Sequence, residues 1–470
     1  MKTAIEKIML MPPYLDCPSC GGKLSYGVIG INDDHFLKKC SVCRKGAVFP
    51  LPVLHKKVIY LDQMVLSVIM KNLDPSRLGR EKNPNYAFYE ELFRKLDVLG
   101  KQMLIVCPYS PIHQQESKNI EQPALGNAKI DEKQFGCTFD KIRKLYTHLS
   151  YGTKFIRYET IRELQVLSAL KNWIKGSKTV NHTGNPSEAI NGKINVWLPR
   201  FYPSDDSKLQ LEELAVLNER KADGDRNFEV VVKRWQSEKK NEFKDWFQQE
   251  VAGNSNVLLN EFRQYESHIK AMQSRLGGQR INYARLPAAN LMMRILEALE
   301  ANGWPGEGGM MKAKEFFASK EFRQVPIIRI GSALWAGTAK AVHTQWAQKV
   351  AKASTSVLEW YQEKKFPSAN DVNFISAYLP YCDAMFIDNK CAEILKGKPA
   401  NEKVSEGAKI YSLDTKEEFL KYLGQIETDA PPGHHAKVCE IYGEEWIAPS
   451  VEILKPLSKK PHGACVDVVL

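Results

Sequence analysis

Four short, largely apolar runs punctuate the chain: Val58 to Leu61, Met103 to Cys107, Ala384 to Ile387 and Lys409 to Ser412. Each leads into residues whose apolar positions recur every three to four places. A strand wet on one face alternates apolar and polar residues, whereas a continuous run is buried on both faces. The pattern therefore predicts an α/β fold in which a mostly parallel sheet lies between helices. From about 120 to 365 the periodicity is helical, as in LQLEELAVLNERK and FEVVVKRWQSEKKNEFKDWFQQEV, and this stretch holds eight of the nine tryptophans. So many large apolar side chains predict packed helices rather than a linker. The longest apolar stretch, KVIYLDQMVLSVIM (57–70), is interrupted by Asp62 and Gln63 well short of the ~18 residues of a membrane span.

The length of 470 residues exceeds one ordinary domain. Cysteine spacing marks the first boundary. Cys17-Pro-Ser-Cys20 and Cys40-Ser-Val-Cys43 are two Cys-x-x-Cys pairs, each on a tight turn that presents two thiolates. Together they predict a closed, structural Zn²⁺ site in an N-terminal zinc ribbon, residues 1–54. Gly21, Gly22 and Gly46 let the backbone turn around the metal, and His35 is the one alternative ligand nearby. The other six cysteines sit in apolar contexts and read as small buried hydrophobes. With no disulfide framework and no secretory signal in MKTAIEKIMLMPP, the expected location is cytoplasmic.

The formal charge is +11, and residues 120–365 carry 38 Lys and Arg against 28 Asp and Glu, so nearly all of the excess lies there. One strip, 268–294, has Lys270, Arg275, Arg280, Arg285 and Arg294, no acid, and Tyr283 among them. Such a strip attracts phosphates, and Tyr283 can stack on unpaired bases. The alternative is a solvated helix face whose acidic partners come from elsewhere in the fold.

Two of the apolar runs end in an aspartate, Asp62 in KVIYLD and Asp388 in CDAMFID. Ligands of open α/β sheets gather at the carboxyl ends of the strands, so these two acids are candidates for one site. Glu116 falls early in a helix after the second run. Asp371 opens the helical segment before the third, where it also forms a capping pattern with Ser368. Asp414 and Glu417 resemble a capping box. Asp383 stands at the entrance of the third run as an additional acid.

YLDQ (60–63), NDVNFISAYLPYCDAMFIDNKCAEIL (370–395) and the strand and helix of 408–422 resemble the PIN-like nucleases, whose acids lie at the end of a first strand, on an early helix and in a paired signature near the end. The resemblance implies a three-layer α/β/α sandwich in which Asp62, Glu116, Asp371 and Asp388 bind Mg²⁺ or Mn²⁺ and hydrolyse phosphodiesters, usually of RNA. Independently, clustered carboxylates repel one another unless a cation neutralises them, and oxygen ligands select hard cations. The 255 residues between Glu116 and Asp371 imply a large insertion. The nuclease-like domain is thus expected at 55–119 and 366–470, with a basic helical insertion at 120–365. The resulting expectation is a metal-dependent endoribonuclease, of the kind used as a toxin or antiphage-defence effector. Its partners would be RNA or single-stranded DNA, and a second copy or a defence-system protein, but no membrane. A non-catalytic nucleic-acid-binding or scaffold protein on the same fold is the alternative.

Overall fold

The computed structural model describes residues 10–74, 80–111, 113, 132–176, 185–198, 228–238, 242–254, 256–257, 260, 263, 287–349, 357–404 and 407–450. Two sheets organise it. The first is antiparallel, built from β1 (Met11–Leu15), β2 (Tyr26–Ile31), β3 (His35–Cys40) and β4 (Gly46–Pro50) in sequence order. In β3 the burial alternates, placing Phe36, Lys38 and Cys40 inward, which is the period-two signature of a sheet with one covered face.

The second sheet contains the four apolar runs: β5 (Lys57–Leu61), β6 (Ile105–Val106), β9 (Ala384–Phe386) and β10 (Lys409–Tyr411). Its order is β10-β9-β5-β6 and every pairing is parallel. Between them in sequence, β7 (Lys154–Phe155) and β8 (Ile190–Asn191) form a short antiparallel pair.

Both faces of the parallel sheet are covered, which is why its strands read as continuous apolar runs. Ile59, Leu61, Ala384 and Phe386 face one core, shared with α1 (Gln63–Leu73), α2 (Tyr86–Lys101) and α3 (Glu132–Ser150). Val58, Tyr60, Met385 and Ile387 face the other. That side is filled by α4 (Tyr158–Ile174), α5 (Pro287–Glu300), α6 (Gly306–Ala318), α7 (Pro326–Lys349), α8 (Ala369–Tyr378) and α9 (Asn389–Lys396). The helix α10 (Lys416–Thr428) returns to the first face through Phe419 and Leu423. Trp235, Trp246 and Trp360 build a separate core with Ala336 and Val342 of α7.

The expected insertion is therefore interleaved with the sheet rather than appended to it. Its first helix, α3, packs on one sheet face and its later helices on the other. LQLEELAVLNERK lies outside the described residues. The ribbon is likewise docked: Val28 and Phe36 pack with Val438, Ile441 and Tyr442 of α11 (His434–Tyr442), and Lys38 Nζ lies 3.1 Å from Glu440 Oε1.

Candidate functional site

The two Cys-x-x-Cys turns meet at one end of the ribbon. Among the described residues, Cys17, Cys20, Cys40 and Cys43 form the one group whose potential ligand atoms all lie within 4.8 Å of one another. Cys17 Sγ is 3.7 Å from Cys43 Sγ, and Cys20 Sγ is 3.9 Å from Cys40 Sγ. Gly21 takes φ +70° as the first turn closes. A Cβ on Gly22 would come within 2.7 Å of Ser25 Oγ, so only glycine fits that second position. Backbone N–H groups donate to sulfur, from Ser19 to Cys17 and from Val42 and Cys43 to Cys40. The Ser25 hydroxyl and these amides, working against burial, pull the Cys40 thiol down to about 6. Cys43, although an amide bond from Lys45 works the other way, is pushed up to about 11 by burial and by the neighbouring thiols. Four sulfurs gathered this closely suit a thiophilic divalent cation, and the set fits Zn²⁺. His35 starts β3 while Cys40 ends it, and its ring bonds Asp34 and Asn32 at the opposite hairpin, away from the sulfurs.

The parallel sheet builds a second arrangement. Leu61 pairs with Phe386, so Asp62 and Asp388 leave adjacent strands at the carboxyl edge, offset by one residue. Asp62 caps α1, accepting from the Met64 amide at 3.0 Å, and Asp388 caps α9, accepting from the Lys390 amide at 2.7 Å. Asp371 belongs to a capping box with Ser368 at the start of α8. All three are only half-buried. Among the described residues none of the three forms an ion pair with a Lys, Arg or His.

Burial, then the charges of Asp371 and Asp388, push the Asp62 carboxyl up to about 7, against amide hydrogen bonds that work the other way. Burial also raises Asp371, opposed by the Ser368 bonds and reinforced by Asp388. Beneath them, the buried Cys391 thiol is raised well above its usual value by burial and then by Asp371, Asp388 and Asp62 in turn. Three acids thus share one field without a compensating cation among the described residues. They fit a hard divalent cation by charge and ligand type, although their oxygens are spaced more widely than the four sulfurs.

The other residues singled out from sequence fall differently. Glu116 lies outside the described residues. His113 is buried, stacks on Tyr60 at 5.4 Å between ring centroids, and accepts from the Ser110 amide through Nδ1. Burial pushes it down to about 3, so it is a neutral packing residue beside the strand that ends in Asp62. Asp383 is at the opposite, amino edge of the sheet. There its carboxylate accepts from the Val58 amide and lies 2.8 Å from Lys57 Nζ. The five residue steps along the strand separate it from Asp388 by roughly 16 Å, so it does not join the cluster.

Of the basic strip, Lys270, Arg275, Arg280, Tyr283 and Arg285 lie outside the described residues. Arg294, exposed on α5, is 3.5 Å from Glu163 of α4, an acidic partner supplied by a different element. Asp414 was expected as a helix cap. Instead Ser412 and Thr415 make the capping box, and Asp414 accepts from Asn389 Nδ2 at 2.8 Å, which brings it beside the start of α9 on the acidic edge. The signal was present in KIYSLD, a third strand followed closely by an aspartate.

Comparison with protein-family models, with curated proteins and with solved structures gives no significant match.

Proposed function

We propose that the chain is a metal-dependent phosphodiesterase acting on RNA, a PIN-like nuclease in which Asp62, Asp371 and Asp388 form the acidic centre. The observation that carries this reading is that three carboxylates without an ion-pair partner among the described residues lie in one another's field at the carboxyl edge of a parallel sheet covered on both faces. The resemblance of 60–63 and 370–395 to PIN-like nucleases supports the substrate class, and Glu116 completes the proposed set. Mg²⁺ or Mn²⁺ held there would supply charge neutralisation at a phosphate and at its attacking and leaving oxygens. The protein's own part is to hold the three carboxylates on the first turns of α1, α8 and α9. Their amide hydrogen bonds fix the rotamers, and the α/β core beneath keeps water from the inner side.

The four-cysteine ribbon fits a structural Zn²⁺ and, together with the basic segment, is proposed to contact nucleic acid. One observation favours a non-catalytic reading: each carboxylate already has a capping partner, so the acids have a structural reason to be present. The two readings separate on labelled single-stranded RNA and DNA incubated with Mg²⁺, Mn²⁺ or EDTA. Asp62→Asn and Asp388→Asn preserve side-chain shape and capping ability but remove charge. We expect metal-dependent cleavage of RNA that falls at least about a hundredfold in either variant, a loss of ~2.7 kcal/mol in transition-state stabilisation. Equal cleavage by all three proteins excludes this site, and tight binding without cleavage supports the non-catalytic reading.

A further inference from the structure

At the opposite end of β5 from Asp62 lies a cavity of about 160 Å³. Its walls include Val106, Ile194, Val196 and Leu198, with Lys56, Lys193, Tyr151 and Thr153 as the side chains that carry polar atoms. Lys56 is only 8 % exposed. Its Nζ donates to the Val196 carbonyl at 2.8 Å, and that is its one partner among the described residues. Its backbone is pinned separately, the amide donating to Asn195 Oδ1 at 2.9 Å. Lys193, the other lysine at the cavity, is already paired with Asp33 of the ribbon.

An ammonium has three protons to donate, and a buried cation lacking a carboxylate is costly. Two of the three are unclaimed by any described residue at Lys56. A Cβ placed on Gly152, a residue of the cavity wall, would meet nothing within 4 Å, so the main chain there leaves the space open.

We propose that this cavity is a binding site for a small aliphatic carboxylate, held by an ion pair with Lys56 and by apolar contact with Ile194, Val196 and Leu198. The size is that of an engineered cavity that accommodates benzene, which sets the ligand at roughly six heavy atoms. The apolar walls favour a short hydrocarbon tail. A single buried cation with two N–H groups that no described residue claims matches one carboxylate. Burial also pushes the Lys56 ammonium down to about 7, and a bound carboxylate would restore its proton. The site is separate from the acidic edge, so it stands whether or not the chain cleaves RNA.

The test is titration of the full-length protein with butyrate, 1-butanol and butylamine by calorimetry and ligand-detected NMR, alongside Lys56→Met and Ile194→Phe. We expect butyrate to bind at least about tenfold more tightly than butanol, ~1.4 kcal/mol, with butylamine weakest. Lys56→Met should abolish that preference while leaving butanol binding in place, and Ile194→Phe should weaken both by filling the cavity. Should Lys56→Met fail to fold, as judged by its melting curve, the butyrate-to-butanol ratio of the unsubstituted protein and the effect of Ile194→Phe decide. Equal affinity for butyrate and butanol, no butyrate binding in the millimolar range, or undiminished butyrate binding by either folded variant would overturn the proposal.

Discussion

The four-cysteine ribbon and the acidic edge of the parallel sheet are both clusters of anionic ligands, yet they are assembled in opposite ways. Each ribbon turn contributes two sulfurs within four residues, and an antiparallel hairpin brings the turns together. The acids come from positions 62, 371 and 388, and they meet because β5 and β9 are neighbours in a sheet whose order departs from sequence order. The sulfurs are arranged compatibly with a structural zinc, which would be their main source of stabilisation. The acids are each supported by a helix N-terminus, whose amides and dipole favour negative charge. The ribbon should therefore depend on its ion for its fold, whereas the acidic edge should fold without one and be tuned by it.

The largest expected effect is on the ribbon. Cys40→Ser should reduce bound zinc, measured by metal analysis, from one per chain to near zero. It should also remove hydrogen-exchange protection from β2 and β3, since structural zinc contributes on the order of 10 kcal/mol to small metal-nucleated folds. Retention of full zinc stoichiometry would refute the ribbon.

The second effect is a contrast in pH. Asp62 in the folded protein titrates at about 7, above its ordinary value of 3.8. The folded state therefore binds the extra proton between these values, and stability should fall by up to a few kcal/mol as pH rises from 4 to 7. Asp62→Asn should flatten that slope in urea titrations made without added Mg²⁺ or Mn²⁺. The ribbon should respond with the opposite sign, losing zinc as the thiolates are protonated at low pH. A slope unchanged by Asp62→Asn would show that the raised carboxyl is not a destabilising charge.

Next in size is linkage to a hard cation. Millimolar Mg²⁺ or Mn²⁺ should raise the stability of the unsubstituted protein at pH 8 by about 1–3 kcal/mol, read as a shift in Tm. The double variant Asp62→Asn, Asp388→Asn should show no such shift. The smallest effect concerns capping alone. Asp62→Ala should cost about 1 kcal/mol more than Asp62→Asn, because asparagine still accepts from the Met64 amide and alanine cannot. Equal stability of the two would deny the cap its part.

Much of this architecture was legible along the chain. All four apolar runs became strands of one parallel sheet, because burial on both faces leaves no polar positions and so writes itself into consecutive residues. The ribbon was legible for a different reason, since a tetrahedral ion constrains ligand spacing over a few residues. Asp383 and Asp414 show where such reading fails. Both lie near a strand, but Asp383 precedes β9 and lands on the edge occupied by Lys57, whereas Asp414 follows β10 and joins the acidic edge through Asn389. Strand direction separates the two, and direction within a sheet depends on pairing partners that are remote in sequence. Arg294 makes a similar point about charge, since the acid that meets it belongs to α4.

The sequence by itself determined the strands, the cysteine turns and the presence of an aspartate at the end of two strands, because each depends on interactions within about twenty residues. Only the tertiary structure decided that β5 and β9 are adjacent, that Asp371 and Cys391 share the field of Asp62 and Asp388, and that Lys56 is buried against an apolar cavity with a single acceptor. Those facts depend on the order of strands and on which surfaces exclude water. Such quantities arise from the packing of distant segments, and a periodicity along one segment carries no record of them.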